Sequence, residues 1–120
     1  MLYLPVVPDE DRPLLGEIVT RDREVWVAED DDGINGFIAL GEGWLDHIYV
    51  DPAKQNQGTG TKLLALAKER RPEGLQLWAF QKNEGARRLY ERHSFRIVKL
   101  TDGTNNMERE PDVLYEWLPA

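Results

Sequence analysis

The chain contains no cysteine, and several classes of chemistry are therefore excluded. Disulfides, thiolate metal sites and a covalent acyl-cysteine intermediate all require a thiol. Histidine is scarce too, since only His47 and His93 occur, and the sequence has neither a His-Glu-x-x-His pattern nor an aspartate-rich calcium loop. We therefore expect no metal site, and a group transfer that proceeds directly between its two substrates.

Long hydrophobic runs are also lacking. No apolar stretch approaches the ~20 residues of a membrane span, and the first residues lack the basic start and apolar core of a signal peptide. The 15 basic and 22 acidic residues give a net charge of -7, which disfavours nucleic-acid binding and mildly favours a cationic amine as ligand. We expect a cytoplasmic protein with no nucleic-acid or membrane partner.

Hydrophobic patterning predicts a single α/β domain of the α+β kind. At 120 residues the chain is long enough for one core and one site. The strands ending at Val50 and Phe80 are joined by a helical connection, so we expect them to be parallel neighbours. In residue numbers, the predicted order is a helix from 8, a hairpin of strands 24–29 and 36–40 around a tip at 30–33, a strand 45–50, a helix 61–71, a strand 75–80, a helix from 83, and strands 95–100 and 113–118.

The most informative stretch lies between the strand ending at Val50 and the following helix. It reads Gln-Asn-Gln-Gly-Thr-Gly over residues 55–60. Two glycines one residue apart let the backbone approach a ligand, and the N–H groups of a helix start attract an anion. A third glycine of a dinucleotide fingerprint is missing, since Leu63 stands there, and no P-loop Gly-Lys-Ser/Thr follows. The stretch is either a pyrophosphate cradle or a plain strand-to-helix turn.

This stretch and a second motif together resemble the GNAT superfamily of N-acetyltransferases. The two matches are Gln-x-x-Gly-x-Gly at 55–60 and Asn-x-x-Ala-x-x-x-Tyr at 83–90. The resemblance covers roughly residues 24–118. It implies a mixed, mostly antiparallel twisted sheet with helices on both faces, in which the central parallel strands splay apart. Acetyl-CoA, the acetyl donor, would lie in the gap between those two strands.

The resemblance also assigns roles to residues of this chain. The thiol would receive its proton from Tyr90, and the oxyanion would be stabilised by the backbone N–H at Val50. Tyrosine suits the acid role because its pKa lies slightly above that of a thiol. The implied cofactor-binding residues are Ile48, Tyr49, Val50, Gln55, Asn56, Gln57, Gly58, Thr59, Gly60, Thr61, Asn83 and Tyr90.

The base that deprotonates the amine has two candidates. An alkyl amine with a pKa of ~10 is protonated at neutral pH and must lose a proton before it attacks. Asp46 is the first choice, because GNAT enzymes often carry a carboxylate base on this strand. His47 is the second, since its ordinary pKa is better placed. Strict strand alternation would put the two on opposite faces, so only one would reach the site.

Several of these residues have a plainer interpretation as well. Tyr90 shares the spacing of a buried helix face, and Asn83 is a favoured helix N-cap, a role that is compatible with facing the cofactor. Other charged side chains either serve the substrates or are simply solvated. These are Glu108 and Glu110 for the amine, and Lys54, Lys62, Arg87, Arg88 and Arg92 for the cofactor phosphates.

The front of the chain departs from the family pattern. A GNAT domain opens with a strand and two helices, whereas only 23 residues precede Glu24, enough for one helix. We expect the usual first strand and first helix to be missing from a short domain spanning 1–120. A homodimer would then restore the open sheet edge. Ser94 is a second departure, since glycine usually ends the preceding helix in a left-handed turn.

The expected function is transfer of an acetyl group from acetyl-CoA to a primary amine, by direct attack in a ternary complex. The acceptor would be a small molecule or a protein. One alternative is a catalytically degenerate module of the same fold that binds acyl-CoA or a partner protein. The other is an unrelated nucleotide-binding domain that shares the glycine turn by chance.

Overall fold

A computed structural model describes residues 2–6, 23–55 and 58–119. The predicted helix from residue 8, and Asn56 and Gln57 of the predicted cradle, lie outside the described residues. Within the described ranges, no helix is long and apolar enough to cross a membrane. The strands are β1 (Leu2–Val6), β2 (Glu24–Asp30), β3 (Gly33–Leu40), β4 (Leu45–Val50), β5 (Leu75–Phe80), β6 (Arg96–Leu100) and β7 (Asp112–Trp117), and the helices are α1 (Thr59–Arg70) and α2 (Glu84–Arg92).

The strands form two antiparallel sheets that meet at one point. β1 to β4 pair in sequence order, and β5, β7 and β6 form the second sheet. A parallel bridge between Trp44 and Gln76 joins the two, where the Gln76 amide donates to the Gly43 carbonyl oxygen at 2.9 Å. In the part of the chain that the structure describes, β4 and β5 share no further strand pairing. The predicted mixed, mostly antiparallel sheet with a splayed parallel pair is confirmed.

β1 lies along the edge of β2. It pairs antiparallel with that strand, from Leu2 opposite Glu29 to Val6 opposite Val25. The expectation that the first strand is missing is therefore wrong. A five-residue strand that contains Pro5 carries little sequence signal, and proline is tolerated there because the strand lies at an edge. Since β1 covers the edge of β2, the reason given for a homodimer no longer holds.

One apolar cluster joins both sheets to both described helices. Leu63, Leu64 and Ala67 lie at helical spacing on α1 and are fully buried, as the amphipathic pattern predicted. They pack with side chains from one face of β3 and with the second sheet. The other buried members are Ala28, Ile38, Leu40, Leu45, Leu75, Leu77, Tyr90, Phe95, Val113 and Tyr115. A smaller cluster of Val25, Val27 and Ala39 lies on the opposite face of the first sheet.

The end of α2 has the left-handed turn that the sequence predicted. Ser94 has a φ of 72°, which costs a residue with a Cβ ~1 kcal/mol relative to glycine. The amide of Phe95 donates to the carbonyl oxygen of Tyr90 at 3.0 Å, which closes the last turn of the helix. Tyr90 is therefore held in a well-defined position at the end of α2.

Candidate functional site

The gap between β4 and β5 opens into a cavity of about 1140 Å³. Its walls come from β4, β5, α2 and the loop 101–112. The structure brings together in its lining five of the predicted site residues: Asp46, His47, Ile48, Asn83 and Tyr90. Other lining residues include Trp78 and Phe80 of β5 and Thr101, Asp102, Asn106 and Glu108 of the loop.

Asp46 and His47 line the same cavity because β4 is bulged. Ala39 pairs with His47, and Leu40 pairs with Leu45, so Asp46 is the extra residue between them. A bulge interrupts the alternation of side chains along a strand. The expectation that only one of these two residues could reach the site is therefore wrong.

The Asp46 carboxylate is paired with Arg23. The guanidinium Nε of Arg23 donates to Oδ2 at 3.2 Å, and the side chains of Arg23 and Asp46 are 33% and 30% exposed. Gly41 leaves room for this carboxylate, since a Cβ on Gly41 would lie 2.7 Å from the same oxygen. The first-choice base therefore already has a cationic partner.

The surroundings of His47 favour its neutral form. Burial lowers the pKa of its imidazole below the ordinary value of 6.5, and the positive charge of Arg23 lowers it further, while Asp46 acts in the opposite direction. A neutral imidazole keeps a nitrogen lone pair with which it can accept a proton. Of the two predicted bases, His47 is therefore the one whose nitrogen lone pair is available to accept a proton.

Tyr90 is nearly buried yet lines the cavity, being 6% exposed. Burial, and to a lesser degree the charge of Tyr115, raises the pKa of its hydroxyl to about 12. The hydroxyl is therefore protonated at any physiological pH. Its pKa is, however, much further above that of a thiol than the ordinary pKa of tyrosine suggested. The ring packs against Phe95, with centroids 6.0 Å apart, so the core interpretation is also correct.

Asn83 is the N-cap of α2, as considered from the sequence, and it also faces the cavity. Its side-chain oxygen accepts a hydrogen bond from the Ala86 amide at 3.2 Å and so caps the N-terminus of α2. It also lines the cavity. The cap orients the asparagine at the point where β5 leads into α2.

The two cradle glycines serve different purposes. Gly58 has a φ of 82°, and among the described residues no atom outside its chain neighbours lies within 4 Å of a Cβ built on it, so this glycine supplies a left-handed turn with room beside it. Gly60 lies inside α1, where a Cβ would come within 3.1 Å of Leu89 and 3.8 Å of Val50. Gly60 therefore permits close packing of α1 on α2 and β4.

The first turn of α1 has the properties of an anion site. The Lys62 amide makes the first intrahelical bond, to the Gly58 carbonyl oxygen at 3.0 Å, and the residues Thr59 to Thr61 before it include no acidic side chain. The amides of such a turn point along the helix axis, where the helix dipole favours negative charge. Gln55 lies beside it, with its side-chain nitrogen 3.5 Å from the Val50 carbonyl oxygen.

The described part of the predicted cradle adjoins the end of β4 but does not line the cavity. The described cradle residues, together with Tyr49 and Val50, are outside the cavity lining. Val50 nevertheless adjoins Gly60, and the Tyr49 ring packs on Phe37 with centroids 5.7 Å apart. A cofactor with a long arm would therefore run from the cradle, past the end of β4, into the cavity.

Two of the remaining charged candidates have structural partners. Arg87 donates to the Tyr115 hydroxyl at 3.0 Å and lies 3.8 Å from the Glu91 carboxylate, so it is engaged within the protein. Glu110 pairs with Lys82 at 3.1 Å, whereas Glu108 lines the cavity. Of the two glutamates considered for the amine, Glu108 is thus the one that lines the cavity.

Sequence reasoning missed two contacts around the site. The side chain of Gln81 donates to the carbonyl oxygens of Thr101 and Asp112, at 2.9 and 3.0 Å, and so holds the two ends of the cavity loop. The Thr61 hydroxyl lies 3.0 Å from Nε2 of His93. No sequence pattern relates residues that are 20 to 32 positions apart in this way.

Comparison with known proteins agrees with this geometry. The family model of the acetyltransferase (GNAT) domain matches residues 21–97. The peptidyl-lysine N-acetyltransferase YiaC of Escherichia coli (strain K12) is 32% identical over 87 residues, which are 72% of this chain and 59% of that protein. The chain therefore aligns with less than two thirds of the length of this curated relative.

Solved structures extend the similarity over nearly the whole chain. A GNAT family acetyltransferase from Elizabethkingia anophelis with acetyl-CoA bound is similar with a TM-score of 0.78 and 19% identity, over 98% of this chain and 97% of that one. The Arabidopsis thaliana protein NAA60, in complex with a bisubstrate analogue, gives a TM-score of 0.80 and 17% identity, over 98% and 97%. At these identities the similarity concerns the fold.

Proposed function

This chain belongs to the GNAT acetyltransferase family, and from that premise we propose that it moves an acetyl group from acetyl-CoA to a primary amine by direct attack in a ternary complex. The observation that carries the proposal is the convergence of His47, Asn83 and Tyr90 on the cavity between the separated strands β4 and β5. These residues supply a base, a hydrogen-bonding amide and a hydroxyl donor around one space.

The described residues suit acetyl-CoA as the donor. The turn at Gly58 and the first amides of α1 would hold the pyrophosphate, and Asn83 and Ile48 would contact the pantetheine arm where β4 and β5 separate. Bound there, the cofactor supplies a thioester carbon that is open to attack by an amine. The backbone N–H of Val50, at the end of β4, is our candidate for stabilising the charge that develops on the carbonyl oxygen.

We assign the base to His47. An alkylammonium ion has a pKa of ~10.4 and must lose a proton before its nitrogen can attack. The neutral imidazole accepts that proton directly or through a water molecule, and its lowered pKa keeps the ring available above about pH 6.5. Asp46 would then act on His47 through its charge, because its own carboxylate is held by Arg23.

Tyr90 stabilises the departing sulfur. A thiol has a pKa of ~8.5, so full transfer of a proton from a hydroxyl with a pKa of about 12 is uphill by roughly 5 kcal/mol. We therefore propose that Tyr90 first donates a hydrogen bond to the thiolate. The thiolate then takes up a proton from the solvent as the product leaves. The nearly complete burial of the ring strengthens that hydrogen bond.

The acceptor is a primary amine of a small molecule or of a protein. The relative YiaC is named a peptidyl-lysine N-acetyltransferase, which makes lysine-containing peptides the first acceptors to test. A catalytically degenerate module has lost its main support, because β1 fills the edge position that was thought to be empty.

Two measurements test the proposal in sequence. Calorimetric titration with acetyl-CoA, with ATP as control, first asks whether the cradle binds the donor. Release of free thiol is then followed with lysine peptides and with small alkyl amines as acceptors. We expect saturable binding that requires the coenzyme A moiety, and thiol release that depends on the amine. Saturable binding without amine-dependent release would instead identify a binding module.

A further inference from the structure

The first turn of α1 and the end of α2 are joined through the side chains of Thr61 and His93. The threonine hydroxyl oxygen lies 3.0 Å from Nε2 of the imidazole. The backbone of His93 is fixed as well, since its amide donates to the carbonyl oxygens of Leu89 and Tyr90 at 3.2 and 3.0 Å. A titratable ring is therefore anchored to the helix that carries Tyr90 and bonded to the turn that would hold the pyrophosphate.

The direction of this hydrogen bond depends on the tautomer and the charge of the ring. When Nε2 carries no proton, the Thr61 hydroxyl must donate to it, and the hydroxyl hydrogen is no longer available to a ligand. When the ring is protonated, Nε2–H donates to the Thr61 oxygen instead, and the hydroxyl hydrogen is released. Protonation thus adds a positive charge beside the cradle and, when the neutral ring carries its proton on Nδ1, also frees one hydrogen-bond donor for an anion.

Burial and neighbouring cations disfavour the protonated ring in the free protein. Burial lowers the pKa of His93, and the charges of Lys68 on α1 and Arg92 on α2 lower it further. The Lys68 ammonium donates to the His93 carbonyl oxygen at 2.6 Å, so its charge is held close to the ring. An anion at the start of α1 would counteract both cations and favour the protonated ring.

We propose that His93 is a positioning residue of the phosphate cradle, and that acetyl-CoA binding is coupled to uptake of a proton by its imidazole ring. The inference rests on the proposed function, since it needs acetyl-CoA at the cradle. Coupling of this kind makes the affinity rise as the pH falls between the pKa of the ring in the complex and its lower pKa in the free protein, by up to about tenfold per pH unit.

Calorimetry tests the coupling directly. Acetyl-CoA is titrated at about pH 6.5, near the ordinary pKa of histidine, in buffers with different enthalpies of ionisation, because the slope of heat against ionisation enthalpy counts the protons taken up. We expect net uptake in the wild type and clearly less in His93→Gln, whose amide can still bond to Thr61 without titrating. The 3′-phosphate of the ligand also titrates near pH 6, so the comparison is repeated with acetyl-3′-dephospho-CoA.

A second measurement does not require that variant to fold. The chain has two histidines, so its imidazole NMR spectrum has two sets of signals, which His47→Gln assigns. We expect saturating acetyl-CoA to move the His93 titration to higher pH. Equal proton uptake by wild type and His93→Gln, or an unmoved His93 titration in a saturated complex, would overturn the coupling while leaving the proposed function intact. Absence of any acetyl-CoA binding would overturn both.

Discussion

The ring of Tyr90 meets the ring of Tyr115 edge to face, with centroids 5.7 Å apart and 62° between the planes. Tyr115 is fully buried, and its hydroxyl accepts from Arg87 and donates to the carboxylate of Glu91. Both partners lie on α2, the helix that carries Tyr90. Tyr90 therefore packs against a residue of β7 that is itself hydrogen-bonded to the helix carrying Tyr90.

Replacement of Tyr90 by phenylalanine should separate its chemical role from its packing role. The ring contacts with Phe95 and Tyr115 remain, so we expect the protein to stay folded and its affinity for acetyl-CoA to change by less than about twofold. Loss of the hydroxyl should lower kcat about 100-fold or more, the usual effect of removing a hydrogen-bond donor that stabilises developing charge. Steady-state thiol release and calorimetry measure the two quantities. An unchanged kcat would remove Tyr90 from the chemistry.

The pH dependence of kcat/KM should identify the base. If His47 accepts the proton, log kcat/KM falls as the pH drops through the pKa of His47, which lies below 6.5. This fall is the acidic limb of the pH profile, and His47→Gln should lose the limb. Two neighbouring substitutions should move it in opposite directions. Asp46→Asn removes a charge that raises the pKa of His47, so the limb should shift to lower pH. Arg23→Gln removes a charge that lowers the pKa, so the limb should shift upward. A limb that is lost in Asp46→Asn and kept in His47→Gln would assign the base to Asp46.

Alanine at Gly58 should weaken both the fold and the cradle. A Cβ at a φ of 82° costs ~1 kcal/mol, and the methyl group would project into the open space where we place the pyrophosphate. Chemical denaturation and calorimetry should therefore both register the change. Gly33→Ala is the matched control, because Gly33 has a φ of 109° and equally open surroundings in the β2–β3 turn. It should lose similar stability with unchanged acetyl-CoA affinity.

Glu24 should stabilise the fold in a pH-dependent way. Burial alone would raise the pKa of this carboxyl, but hydrogen bonds from Arg70, Trp26 and Arg71 outweigh it and lower the pKa from its ordinary value of 4.5 to about 2. The contribution is therefore complete above pH 4.5 and is lost as the pH falls toward 2. We expect Glu24→Gln to cost ~1 kcal/mol at pH 7 after allowance for solvent screening, and progressively less in acid. Denaturation at several pH values, with the exposed Glu73→Gln as control, measures it.

The link from Gln81 to the cavity loop should affect the amine and not the donor. Gln81→Glu has nearly the same shape but removes the two hydrogen bonds to Thr101 and Asp112 and sets a carboxylate against their carbonyl oxygens. A loosened loop should raise KM for the amine about tenfold, while calorimetry finds the acetyl-CoA affinity unchanged. A change confined to acetyl-CoA binding would contradict the placement of the acceptor beside this loop.

Local sequence patterns predicted most of the helices and strands. The remaining features depend on how distant elements pair and pack. The hairpin, the strand β4, the start of α1 and the Asn83-to-Tyr90 helix follow from spacing and turn residues within short windows. The bulge at Asp46 does not, because which residue is extra depends on the register against β3. The pairs Thr61–His93 and Arg23–Asp46 likewise arise only when distant elements are packed together.

The short distance at Gly60 has a consequence for how this site can change. A Cβ on Gly60 would lie 3.1 Å from Cδ2 of Leu89, one residue before Tyr90, so a larger side chain at Gly60 would require the Leu89 side chain to shift. The turn that we propose for phosphate binding is thereby coupled through one side-chain contact to the helix that carries Tyr90. A change of donor specificity at this position therefore involves Leu89 as well, and Gly60→Ala combined with Leu89→Ala is the pair to begin with.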